Sequence, residues 1–354
     1  MRPFRYERPT RLTDAVRLAG MDGAMVYAGG TTMLDLMKLG VYRPETVVDI
    51  TRLEEPALRR IAVEGDGNGG TLRFGALVSM NAAAENAEVK RLAPSMSESL
   101  WLAASQQLRH MATLGGNVMQ RTRDPYFRDP AWLQLAEGEV GDASGQGAYG
   151  VTPYGDGRLT AVRQPTRLSA VLGVTDTDTA SYPGDWAQSL VAFDATVEIE
   201  GADGPRTMPF AELHVLPADK RSENEYVRLA PGEIITGFSV PLTPALARSI
   251  YLKARDRESY AFANASAAIG LEFEADGETV REVRIGLGGV ATVPWRSTEA
   301  EDALRGQPLT EANARAAGEA AFADAITHEH NAFKVPLGIN VIARALTTLK
   351  TMEA

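Results

Sequence analysis

The sequence predicts an α+β fold in two successive domains, the first of them built in two parts. Three observations predict it. Strand, helix and strand signals alternate through the first fifty residues, hairpin signals and a long glycine-rich stretch fill the middle, and beyond Pro241 alternating strands give way to helices. The divisions fall at residues 1–55, a small α/β part; 56–243, a larger α+β part with an insertion at 121–178; and 244–354, an antiparallel sheet plus helices. At 354 residues the chain is too long for one small core.

The elements follow in order. Residues 4–9 read as a strand and 12–19 as a short helix with Thr13 as candidate N-cap. Ala24, Met25, Val26 and Tyr27 make a short apolar strand that breaks at Gly29 and Gly30. Thr31 or Thr32 can then cap a helix through Lys38, with Met33, Leu36 and Met37 on one face. Residues 46–50 are a further strand, 60–64 and 71–76 a hairpin around a Gly/Asp/Asn turn, and 82–92 a helix. Residues 121–178 are rich in Gly, Asp, Ala and Pro and have little apolar periodicity. A stretch that long inside a compact domain is uncommon and is usually functional or the remnant of something functional. A helix at 186–194 and strands at 196–199 and 233–241 close this region. Residues 249–254, 266–274 and 282–290 then alternate like antiparallel strands, with a solvated turn at Arg255, Asp256, Arg257 and Glu258. Helices at 297–304, 311–326 and about 335–350 end the chain.

Composition excludes several classes. With 44% hydrophobic and 23% charged residues the chain is globular, and its net charge of −10 is spread over short alternations of sign. That balance opposes binding to nucleic acid phosphates or anionic membranes. The absence of cysteine excludes disulfides, thiolate catalysis and an iron–sulfur cluster on the chain's own thiolates. Met1 to Tyr6 have no apolar signal-peptide core, and no run approaches the roughly 20 apolar residues of a membrane span. A soluble, cytoplasmic protein is expected.

Three segments carry chemistry. In Tyr27, Ala28, Gly29, Gly30, Thr31, Thr32 and Met33, a strand meets a glycine pair and a helix start, so backbone N–H groups can approach an anion closely. The spacing is neither the Rossmann fingerprint nor a P-loop, and a mere tight turn is the competing reading. In the second, Arg109, His110, Met111, Ala112, Thr113, Leu114, Gly115, Gly116 and Asn117, another glycine pair is flanked by neutral hydrogen-bonding side chains. The third is Tyr182, Pro183, Gly184, Asp185 and Trp186. Taken alone, Asp185 reads first as a helix cap and second as a carboxylate for ribose hydroxyls.

Together these segments, with Gly288, Gly289, Val290, Ala291, Pro294 and Arg296 near the end, resemble the FAD-binding medium subunit of the xanthine dehydrogenase and aldehyde oxidoreductase family over nearly the whole chain. The resemblance implies a two-part FAD-binding domain of the vanillyl-alcohol oxidase type followed by a C-terminal α+β domain. It implies that Val26, Tyr27, Ala28, Gly29, Gly30, Thr31 and Thr32 wrap the FAD diphosphate. Thr113, Gly116, Asn117 and Met119 would form the second loop, with Arg109 and His110 flanking it. Gly184 and Asp185 would hold the adenosine ribose, Ile235 would pack near the cofactor, and Lys253 would reach the flavin. The implied partners are a large subunit with the molybdenum cofactor and a small subunit with two-iron clusters; no residue of this chain is expected to act as acid or base.

Residues 120–129 resemble the branch whose medium subunit carries a four-iron cluster in this loop, yet Asp124 and Asp178 stand where cysteines are expected. The implied outcome is an insertion kept without its cluster. Two other readings of the chain stay open: a stand-alone flavoenzyme using a histidine, Tyr126 or Tyr260 as base, and a flavin-free scaffold. His328 and His330 do not suggest a metal, because residues two apart on a helix point apart. Asp124, Asp129, Asp176 and Asp178 lack the spacing of an EF-hand.

Overall fold

The computed structural model describes residues 1–65, 69–129, 165–221 and 225–352. The turn expected at 66–68 and most of the 121–178 insertion, residues 130–164, lie outside the described residues.

Three sheets organise the chain. The first is parallel, in the order β1 (Arg5–Glu7), β3 (Thr46–Asp49), β2 (Ala24–Tyr27). Val47 and Val48 are adjacent on β3 and so face opposite sides. Helix α1 (Leu12–Ala19) packs Ala15 and Val16 with Val48, and α2 (Met33–Leu39) packs Met33 and Met37 with Val47. One helix therefore covers each face. The expected cap of α1 is corrected: Arg11 is the N-cap residue and makes no side-chain bond, while Glu55 Oε1 accepts from Leu12 N–H at 2.7 Å. A distant carboxylate does the work assigned to Thr13.

The second sheet is antiparallel, in the order β4 (Ile61–Glu64), β5 (Thr71–Gly75), β8 (Ile234–Pro241), β6 (Thr196–Gly201), β7 (Gly204–Pro209). Short helices share its core: α3 (Met80–Glu85), α4 (Ala87–Leu92), α5 (Pro94–Trp101), α7 (Leu114–Val118) and α8 (Trp186–Ala192), while α6 (Gln106–Met111) packs on α3. The helix expected at 82–92 is two helices, because Asn86 leaves the helical region and caps α4 by accepting from Val89 N–H. At the centre of this core Trp186 meets Phe74 and Phe238 edge to face, with centroids 5.4 and 5.2 Å apart.

After α9 (Pro244–Ala247), the third sheet is antiparallel, in the order β12 (Trp295–Arg296), β11 (Val280–Gly288), β10 (Ala265–Phe273), β9 (Ser249–Ala254). Helices α10 (Thr298–Leu304), α11 (Glu311–Ala321) and α12 (Lys334–Thr351) build its core with Val341, Ile342, Ala345, Leu346 and Leu349 buried. Helix α11 ends five residues before the expected Ile326, and His328 and His330 lie in the turn before α12 rather than on a helix. Among the described residues no helix is long and apolar enough to cross a membrane.

Candidate functional site

The glycine pairs build two loops that lie side by side. Beyond β2, Gly30 takes φ +71°, and a Cβ there would come within 2.4 Å of the Tyr27 ring. A Cβ on Gly29 would come within 2.0 Å of the Met111 carbonyl, so the first loop packs directly on the chain entering the second. Among the described residues the N–H groups of Gly30, Thr31 and Thr32 have no acceptor, and Thr32 makes no side-chain cap bond on α2. A left-handed glycine followed by free N–H groups is an anion-binding concavity.

In the second loop Thr113 caps α7, its Oγ1 accepting from Gly116 N–H at 3.2 Å. Gly115 N–H donates to the Ala76 carbonyl at 2.9 Å. Gly116 is open: a Cβ built there meets only Thr113 Oγ1, at 3.0 Å.

These loops form the neck of a groove with two lobes, which share Thr31, Thr32 and Gly116 in their walls. One lobe, of about 390 Å³, includes Val26, Ala28, Ile50, Leu77, Leu229 and Ile235 beside Thr113 and Glu233, and is called the apolar lobe for those aliphatic side chains. The other, of about 700 Å³, includes Asp35, Asn117, Arg123, Asp185, Tyr260 and Phe262, and is called the polar lobe for its larger number of charged side chains. Both volumes lie in the range of cofactor sites. Asn117 Oδ1 is buried without a partner, and its Nδ2 reaches only Met80 Sδ, at 3.5 Å. A buried acceptor left unpaired is costly and calls for a donor in the lobe.

Asp185 occupies the N-cap position of α8 but makes no capping bond, which overturns the cap reading. Its carboxylate instead takes Tyr251 Oη at 2.6 Å and Lys253 Nζ at 2.8 Å. Tyr251 and Lys253 project from one face of β9, two residues apart. The ion pair is dry, with side chains 5% and 1% exposed. Burial first, and then the Asp185 charge, push the Tyr251 hydroxyl well above its ordinary range, so it stays a proton donor to Asp185. Lys253 does not line the lobe itself; it lies behind Asp185 and also donates to the Leu102 carbonyl at 3.2 Å.

Other expected residues go elsewhere. Buried Arg109 lines neither lobe; it donates to the Ala103 carbonyl and stacks on Trp101. His110 faces a separate cavity of about 510 Å³ with Tyr6, Arg8 and Tyr27. Met119 lines the apolar lobe. Gly184 lines neither lobe, and Tyr182 crowds it so that a Cβ would lie 2.4 Å from the ring. None of the four histidines lines the polar lobe; of the bases considered for a stand-alone enzyme, only Tyr260 does. Sequence reasoning missed Tyr251, Asp35, Arg123 and Phe262. For Tyr251 the signal was present, since period-two alternation puts it beside Lys253.

A further cavity of about 810 Å³ includes Arg121, Asp178, His214 and Lys220. Where the resemblance expects thiolates, Asp124 Oδ1 accepts from Tyr126 and Phe127 N–H groups, and Asp178 pairs with Lys220. Arg121 lies over the rings of Phe127 and Tyr226, at 4.4 and 3.2 Å.

A neck of free main-chain donors between an apolar and a polar lobe defines a dinucleotide-cofactor protein of α+β fold. Comparison with known proteins then fixes the family. Residues 2–243 match the FAD binding domain in molybdopterin dehydrogenase, and residues 250–349 match the CO dehydrogenase flavoprotein C-terminal domain. The chain is 35% identical over 351 residues to the aldehyde oxidoreductase FAD-binding subunit PaoB of Escherichia coli K12, covering 98% of each. It is 26% identical to the carbon monoxide dehydrogenase medium chain of Hydrogenophaga pseudoflava, covering 90% of this chain and 86% of that one. The solved carbon monoxide dehydrogenase from H. pseudoflava shares its fold at TM-score 0.69 and 24% identity, covering 98% of each chain. The chain belongs to the family of FAD-binding subunits of molybdenum hydroxylases and has their α+β fold.

Proposed function

We propose that this chain is the FAD-binding electron-transfer subunit of a molybdenum-dependent hydroxylase that oxidises aldehydes or N-heterocycles. The observation that carries the reading is the neck of unpaired N–H groups at Gly30, Thr31 and Thr32 facing the open Gly116. The free N–H groups would hold the diphosphate, with Asp185 in the polar lobe holding the adenosine ribose and Ile235 in the apolar lobe packing near the cofactor. When bound, FAD supplies the change between two-electron and one-electron transfer. The chain's residues bind it, orient it and exclude water; the unpartnered Asn117 Oδ1 would accept a hydrogen bond from it, and the Tyr251 and Lys253 donors fix the Asp185 carboxylate.

The partners in this reading are a molybdenum-cofactor large subunit and a small subunit with two-iron clusters, working in the cytoplasm. Electrons pass from the small subunit's clusters through FAD to an acceptor. The reading also divides the chain at 1–55, 56–243 and 244–354, with one sheet in each part. Purified chain should be yellow, release FAD on heating and co-purify with a molybdenum-binding chain, while the isolated subunit oxidises no aldehyde. Colourless protein, or aldehyde oxidation by the lone subunit, would overturn it.

A further inference from the structure

The described limb of the insertion puts two guanidinium groups on one carboxylate. Arg123 Nη1 and Arg128 Nη2 both approach Asp35 Oδ2, at 3.3 and 2.7 Å. The group therefore carries one positive charge more than Asp35 can neutralise. Arg123 lines the polar lobe together with Asp35, Thr31 and Thr32, and its guanidinium lies 5.2 Å from the Phe262 ring centroid. Burial and then the neighbouring Arg128 push its pKa below the usual arginine value, while Asp35 acts to raise it.

The rest of the groove offers little positive charge. Among the described residues no lysine or arginine lines the apolar lobe. The other arginine of the polar lobe, Arg257, donates its Nε to the Ser259 and Tyr260 carbonyls, at 3.1 Å each. A diphosphate held only by neutral N–H groups would keep two negative charges unmatched. We propose that Arg123 is the counter-ion of the cofactor diphosphate and that this limb of the insertion serves to deliver it. Asp35 divides its single charge between the two guanidinium groups, so Arg123 keeps an attraction to spare. A charge-assisted bond of this kind is stronger than the neutral N–H contacts around it.

The inference rests on the FAD reading above and adds a residue to it. The test uses the full chain stripped of flavin and titrated with FAD across a range of salt. Arg123→Gln should bind FAD about tenfold more weakly and with a shallower salt dependence, its flavin-free melting temperature staying near that of wild type. Arg123→Lys, which keeps the charge, should recover part of the affinity. Asp35→Asn should hold or tighten FAD and steepen the salt dependence, because it releases both guanidinium groups. Were the ion pair only a fastener, Arg123→Gln and Asp35→Asn would lose FAD alike, and that result overturns the proposal. So does equal affinity in wild type and Arg123→Gln. Wild-type chain that binds no FAD would defeat the functional reading as well.

Discussion

Gly116 is the position where cofactor binding separates most cleanly from folding. A methyl group there meets only Thr113 Oγ1, whereas Gly30→Val would strike the Tyr27 ring and force a left-handed backbone on a β-branched residue. Gly116→Ala should therefore fold and melt near wild type yet bind FAD at least about tenfold more weakly, as measured by flavin fluorescence titration. Lys253→Met should act on stability instead. It strands the buried Asp185 carboxylate with Tyr251 alone, and breaking such a pair typically costs about 3–5 kcal/mol; denaturant melts showing no loss would remove the ion pair from the account of this lobe. The glycine pairs were legible because spacing alone marks a chain reversal before a helix. The Asp35 pairing was not, since nothing in the spacing of residues 35, 123 and 128 brings one carboxylate to two arginines from a loop.

At the scale of elements, the end of α7 is tied down by a titratable group. The Val118 carbonyl accepts from Tyr182 Oη at 3.0 Å and from His214 Nε2 at 3.1 Å, and burial lowers the His214 pKa from 6.5 to about 4. Between those two values the unfolded chain binds more protons than the folded one, so stability is whole above pH 6.5 and is lost as pH falls toward 4. The expected loss from this residue is roughly 3 kcal/mol, and His214→Gln should flatten that part of the pH–stability curve. An unchanged slope in the variant would contradict the assignment. Most elements were readable from period: the hairpin, the three alternating strands after Pro241 and the last helix lie where apolar spacing puts them. Helix α5 was missed because its buried face includes Ser95, Ser97 and Ser99 as well as Met96 and Leu100, so it shows no clean apolar stripe. Strand β7, with its GPRTMP sequence, buries only Met208 and carries no alternation to read. The break at Asn86 was invisible because local capping competes with helix continuation on nearly equal terms.

Over the whole molecule, the groove depends on pieces far apart in sequence. The neck comes from residues 29–32 and 113–116, the apolar lobe takes Ile235 from β8, and the polar lobe takes Asp185 and the loop after β9. The insertion contributes Arg123 but not Asp124, whose carboxylate caps its own turn. Asp124→Ala should accordingly leave FAD content intact, and loss of flavin from that variant would tie the turn to the cofactor. The most direct measurement is a crystal structure of the chain with FAD. The diphosphate is expected between the Gly30, Thr31 and Thr32 amides and Gly116, with Asp185 at the adenosine ribose and Ile235 packed near the cofactor. A nucleotide bound elsewhere, with both glycine loops free of it, would contradict the account.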